Sequence, residues 1–207
     1  MKRQRLTREQ SKDQTRQRLL DAAQAIFMKK GFVATSVEDI AEAAGYTRGA
    51  FYSNFSSKPE LFLELLRRDH EEMQAQLESI FEEGATRETM EAQVLAYYSN
   101  LPHDNKCFLL WMEAKLVAAR DSRFRAKFNA FMHEKREHMS EYIRAFSARA
   151  GTPLLLPAET LAIGLMGLCE GVQFLSTIDP QNISADAAEA VLAGFFARVV
   201  FGRDAAG

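Results

Sequence analysis

The chain has 207 residues, 47% of them hydrophobic and 26% charged, and a formal net charge of −2 at pH 7. This length suits a small head joined to a second helical domain. No apolar run follows the basic start, as a signal peptide would require, and no stretch reaches the roughly 18 uncharged apolar residues of a membrane span, so a cytoplasmic protein is expected.

The near-neutral total hides an asymmetry. Residues 1–58 carry eleven Lys or Arg against six acids, a net of +5, while residues 59–207 carry fifteen against twenty-two, a net of −7. A basic head on an acidic body is expected when one end meets phosphate and the other does not. The first fifteen residues, MKRQRLTREQSKDQT, are polar and basic. They read as an arm reaching an adjacent groove or as a solvated tail.

Thr35-Ser36 can cap a helix, and Asp39, three residues past Ser36, completes a weak capping box. Ile40, Ala41 and Ala44 form the apolar face of this short helix, and Gly45 supplies the positive φ of a tight turn. Thr47 caps a second short helix that places Phe51 and Phe55 on one face and turns Arg48, Tyr52 and Asn54 elsewhere. This is the outline of a DNA-reading helix-turn-helix.

The run from Arg16 to Leu66 closely resembles the N-terminal domain of the TetR (tetracycline repressor-like) transcriptional regulators. The likeness lies in LLDAAQAIFMKKGF, the Thr35-Ser36-Val37 entry, the IAEAAG turn, and the spacing of Tyr52, Phe55 and Lys58. It implies that Thr47, Arg48, Gly49, Tyr52 and Asn54 face the major groove, with Arg48 suited to guanine O6 and N7. Tyr52, Lys58, Thr35 and Ser36 would hold phosphates. Ser53 is smaller than the residue often found there, and Pro59 fits a helix first turn.

Beyond residue 70 the resemblance is one of length and helical architecture only. A long helix over about residues 57–82, ended by Gly84, would tie a head at 1–58 to a body at 59–207. Helices follow over about 88–100, 105–119 and 121–150, so the expected fold is all-α: an N-terminal three-helix DNA-binding domain and a C-terminal helical ligand-binding and dimerisation domain. Cys107 and Cys169 sit in apolar helical runs, where buried thiols are expected.

In AETLAIGLMGLCEGVQFL, Gly164, Gly167 and Gly171 form one stripe, and each glycine costs roughly 1 kcal/mol relative to alanine unless a close helix uses the space. Val191, Gly194, Phe195 and Arg198 of the last segment offer a comparable face. Two such helices from each of two subunits would form a four-helix homodimer interface. Tyr97, Phe108, Trp111, Met112, Phe128, Phe131 and Phe174 are candidates to line an apolar cavity, though aromatics at helical spacing also read as plain core. Glu113 and Glu170 each lie in an apolar stretch and need a partner, either a structural one or a cationic ligand.

The four histidines offer one close pair, His133 and His138, whose spacing puts them on different helix faces. No catalytic or metal constellation results, so no enzyme, cofactor or metal is expected. The expected function is a ligand-responsive DNA-binding regulator: a repressor released from a palindromic operator by a lipophilic small molecule. The alternative is a helical dimeric module that binds a small molecule or protein without regulatory DNA binding.

Overall fold

A computed structural model describes residues 7–80, 86–104 and 107–200. Among these the chain is helical without strands, as α1 (Arg8–Lys30), α2 (Val37–Ala43), α3 (Arg48–Tyr52), α4 (Lys58–Ile80), α5 (Arg87–Asp104), α6 (Phe108–Arg120), α7 (Ser122–Ala150), α8 (Ala158–Ile178) and α9 (Ala185–Phe195). A π-helical turn, Phe196–Val200, continues α9. The expected end of α4 at Gly84 lies outside the described residues.

The chain divides into two compact units, and the division is not the expected cut at residue 58. The first unit comprises Met1–His70 and Cys107–Phe128; the second comprises Glu71–Lys106 and Asn129–Gly207. Helix α4 begins at Lys58 and its part up to His70 falls in the first unit, and α6, sequence-distant from the head, falls there too.

In the first unit, α1 begins earlier than expected. Thr7 caps it in a full capping box: Gln10 N donates to Thr7 Oγ1 (3.2 Å) and Thr7 N to Gln10 Oε1 (2.9 Å). Residues 8–15, read from sequence as arm or tail, are therefore helix; residues 1–6 lie outside the described residues. Leu19, Leu20, Ala23 and Phe27 recur along one face of α1 and are buried with Ile40, Phe51, Phe55, Leu61, Phe62, Leu65 and Leu66. An aromatic series continues this core: Phe27 to Phe62 (5.3 Å between centroids), Phe62 to Phe124 (6.1 Å), Phe124 to Phe128 (5.8 Å) and Phe128 to Trp111 (6.5 Å).

The second unit is built around Leu77, Ile80, Met90, Val94, Tyr98, Phe146, Leu165, Cys169, Leu192 and Phe196. Tyr98 and Phe196 pack at 4.5 Å, and the Tyr98 hydroxyl donates to Met139 Sδ (3.6 Å). Helix α8 is long and apolar enough to cross a membrane by length and composition, with mean hydropathy 1.5. It carries Glu159 and Glu170, and it buries Leu161, Ala162, Leu165, Cys169 and Val172 within its unit. That is the pattern of a core helix with one open face.

Candidate nucleic-acid interface

The two short helices are shaped by their caps. Ser36 Oγ accepts from Asp39 N (3.1 Å), and Ser36 N donates to Asp39 Oδ2 (2.7 Å), closing a reciprocal box at the start of α2. Lys30 Nζ reaches the same carboxylate at 2.7 Å. The Lys30 ammonium and the Ser36 backbone hold the Asp39 carboxyl well below the usual carboxylate range. Gly45 takes φ +75° in the turn that follows, a region open to glycine at no steric cost. Thr47 Oγ1 then caps α3 by accepting from Ala50 N (3.3 Å).

Phe51 and Phe55 are fully buried, so the outer face of α3 is fixed: Thr47, Arg48, Gly49 and Tyr52 are exposed, Tyr52 at 47%. The Arg48 guanidinium stands 5.5 Å from the Tyr52 ring centroid and pairs with Glu38 of α2 at 3.0 Å. Both partners of that pair are more than half exposed, so it orients Arg48 more than it stabilises the fold. A Cβ on Gly49 would meet only Thr47 Oγ1, at an ordinary 3.7 Å, so the glycine keeps this face low rather than relieving a clash.

Three of the residues expected to touch DNA are engaged within the protein instead, and a fourth, Ser36, in part. Thr35 is buried and its hydroxyl donates to Gly31 O (2.7 Å), so it anchors the α1–α2 turn and is withdrawn from the surface. Ser36 is exposed, and its hydroxyl oxygen accepts in the cap, which leaves the O–H able to donate outward. Asn54 follows the end of α3, which is only five residues long, and its amide donates back to Ala50 O (2.8 Å). It finishes the helix where a base-reading role was expected. Lys58 Nζ donates to Phe32 O (2.7 Å) and Thr35 O (2.5 Å) and lies 4.3 Å from the Phe32 ring centroid. Burial pushes its pKa down, while the Asp39 and Glu113 carboxylates oppose that shift. Its expected phosphate contact is corrected to a structural one, because an ammonium this committed to carbonyls has few protons left for an outside oxygen.

The sequence reading missed one determinant and the partner of another. Arg16 of α1 donates through Nη1 to Asn54 O (2.8 Å), pairs through Nη2 with Glu64 (2.9 Å), and lies 4.2 Å from the Phe55 ring centroid. It fastens the end of α3 across 38 residues of sequence, and no local pattern announces it. The second is Glu113, whose Oε2 accepts from Phe32 N (2.7 Å). The partner this carboxylate needed is a backbone N–H of the α1–α2 turn, so its reading as a ligand contact gives way to a structural one.

The other candidate ligand residues separate between the units. Phe108, Trp111, Met112, Glu113 and Phe128 belong to the first unit, where Phe108, Trp111 and Phe128 are buried core and Trp111 Nε1 donates to Asp69 (2.7 Å). Tyr97, Phe131, Glu170 and Phe174 belong to the second. Phe131 is buried there and Phe174 is 45% exposed. Burial, then the neighbouring Glu170 carboxylate, pushes the Cys169 thiol up to about 12, with Lys135 of α7 opposing.

Of the expected dimer residues, Gly164, Gly167, Gly171 and Gly194 are exposed, and a Cβ added at any of them would meet nothing within 4 Å. Val191 is 49% exposed and Arg198 is exposed, whereas Phe195 packs partly against its own unit's core. Ile163, Phe174, Leu175 and Ile178, at 45–64% exposure, extend the open apolar face of α8.

Comparison with known proteins agrees with this geometry. Residues 19–65 match the family model of bacterial regulatory proteins, tetR family. The chain is 30% identical over 107 residues to the HTH-type transcriptional activator FasR of Mycolicibacterium smegmatis, covering 51% of this chain and 49% of that one. It is 45% identical over 67 residues to the HTH-type transcriptional regulator TtgR of Pseudomonas putida, covering 32% and 31%. The chain thus matches about half or less of the length of these relatives.

Two solved structures show the fold. A putative transcriptional regulator from Saccharomonospora viridis in complex with choline superposes with a TM-score of 0.72 at 19% identity, over 89% of this chain and 96% of that one. The SmeT–triclosan complex superposes with a TM-score of 0.68 at 21% identity, over 90% and 91%. The N-terminal module of this chain, residues 19–65, is thus similar to the tetR family of bacterial regulatory proteins, and the chain shares the fold of the two solved structures.

Proposed function

We propose that this protein is a cytoplasmic, homodimeric DNA-binding transcriptional regulator and not an enzyme: a repressor released from a palindromic operator by a small-molecule effector. The observation that carries this reading is the exposed face of α3, with Thr47, Arg48, Gly49 and Tyr52 raised on a fully buried Phe51 and Phe55, inside the segment that matches the tetR family. Arg48 reads base edges, and Tyr52 and the Ser36 hydroxyl lie against phosphate. The open stripe of Gly164, Gly167 and Gly171, with Val191 and Gly194, takes the second subunit. A two-fold dimer sets its heads against half-sites about 34–36 Å apart.

The effector contacts fall to second-unit residues, Tyr97, Phe131 and Glu170, and the class we favour is lipophilic. The SmeT structure contains triclosan and the Saccharomonospora viridis structure contains choline. A carboxylate and aromatic rings are the groups that suit a lipophilic compound carrying a positive charge. Ligand binding weakens operator binding, and by linkage operator weakens ligand binding by the same factor.

Selection of bound sequences from randomised duplex DNA by the purified protein, at two salt concentrations, tests this reading. Recovery of one palindrome with steep salt dependence is expected. Failure to enrich any sequence would leave a helical dimeric module that binds a small molecule or a protein.

A further inference from the structure

The α1–α2 turn is held by side chains from two other helices of the first unit. Gly31 ends α1 at φ +83°, and its N–H closes onto Phe27 O (2.8 Å). Phe32, next in the chain, stacks on Phe62 at 4.4 Å and is buried. Its N–H donates to Glu113 of α6, and its C=O accepts from Lys58 of α4. A Cβ at position 31 would stand 2.5 Å from Glu113 Oε1, so glycine supplies both the backbone sign and the room for the carboxylate. Thr35 closes the turn through Gly31 O, and Ser36 starts α2 immediately after it.

We infer that Glu113 is a positioning residue for DNA reading: from α6 it fixes the Phe32 peptide, and through that turn it sets where α2 begins and how α2 and α3 are presented to DNA. This rests on the DNA-binding reading above. Glu113 touches no DNA itself. Its carboxylate oxygen is a hydrogen-bond acceptor at one atom, so the effect follows acceptor geometry and not negative charge. Two further polar contacts hold α6 in the same unit. Gln24 Nε2 of α1 donates to Cys107 Sγ (3.1 Å), and Trp111 Nε1 donates to Asp69 of α4. With those retained, removing the Glu113 acceptor frees the turn without releasing α6.

The test uses the full chain and the duplex that the unaltered protein selects from randomised DNA. Glu113→Ala should bind that duplex about tenfold more weakly, and Glu113→Gln, which keeps an acceptor of the same reach, should return most of the loss. Amide exchange at Phe32 should be slow in the unaltered protein and in Glu113→Gln. If Glu113→Ala does not fold, Glu113→Asp, one methylene shorter, carries the test and should bind more weakly than Glu113→Gln.

Equal operator binding by all folded variants would overturn the inference, as would a Glu113→Gln loss as deep as that of Glu113→Ala. A lower melting temperature with unchanged operator affinity below the transition would mean that Glu113 only stabilises the fold, and would also overturn it. If the unaltered protein selects no sequence, the DNA-binding reading itself fails. Selection by the unaltered protein with no difference among variants removes this inference alone.

Discussion

Glu113 and Lys58 grip the two ends of a single residue: the Phe32 N–H donates to the Glu113 carboxylate at 2.7 Å, and the Phe32 C=O accepts from the Lys58 ammonium at 2.7 Å. The two side chains arrive from α6 and α4, helices separated by all of α5. An acceptor and a donor thereby hold one peptide from both sides.

Lys58 therefore acts chiefly on the fold. Lys58→Met keeps the apolar stem over Phe32 and deletes both carbonyl contacts, so a loss of about 1–3 kcal/mol in unfolding free energy is expected by denaturant titration. The slope of log affinity against log salt on DNA should stay unchanged. A slope smaller by about one would restore a phosphate contact to Lys58.

Arg48 and Glu38 form an exposed pair on the proposed reading face. Arg48→Ala should leave thermal stability within about 0.5 kcal/mol and reduce discrimination among operator variants, by roughly 1–3 kcal/mol at the position it reads. Glu38→Gln removes a competitor for the guanidinium and a negative charge near DNA. Competition titrations with operator and random duplex should show both bound more tightly, with the ratio between them reduced.

Asp39 contributes stability with a defined pH window. Its carboxyl is depressed in the folded state, so the contribution is complete above the unfolded value near 3.9 and is lost as pH falls toward the lower folded value. Asp39→Asn should therefore lower the melting temperature at pH 7, and the gap to the unaltered protein should narrow below about pH 4. Melting curves from pH 2.5 to 7 decide it, and a gap independent of pH would refute the assignment.

Both cysteines are buried and free, and burial, the largest cause in each, pushes both thiols up to about 12. A thiol reagent at pH 8 should label neither in the native protein and both after denaturation. Rapid native labelling of either one would show an accessible, reactive thiol instead.

The α8 glycines allow a test by sign. In the isolated chain a Cβ at Gly167 meets open space, so Gly167→Ala should stabilise the helix by about 1 kcal/mol if the stripe stays exposed. If a second subunit approaches there, the same change should weaken association, read as a concentration-dependent shift in sedimentation toward monomer. Stabilisation without any change in assembly would remove the stripe from the interface.

Much of the helical layout was legible because its determinants are local. Ser36 and Asp39, Gly45, Thr47, and the spacing of Phe51 and Phe55 act within a few residues of one another, and the structure places their caps, positive φ and buried rings where those signals point. The start of α1 was not read: Thr7 and Gln10 form a capping box, but the surrounding charge reads as an arm or tail.

The residues of the candidate interface were only partly legible. Thr35, Asn54 and Lys58 are polar residues at family-like spacing, and whether such a side chain faces outward or binds a nearby carbonyl depends on which backbone groups the fold leaves unpaired. Glu113 shows the limit most clearly: its need for a partner follows from its apolar stretch, yet the partner is an N–H 81 residues away. Sequence by itself determined the helices, their caps and the apolar faces, because these follow from interactions a turn or two long. Only tertiary structure decided that α6 belongs with the head, that Arg16 fastens the end of α3, and which charges serve the fold, because those bonds form between groups that chain packing alone brings together.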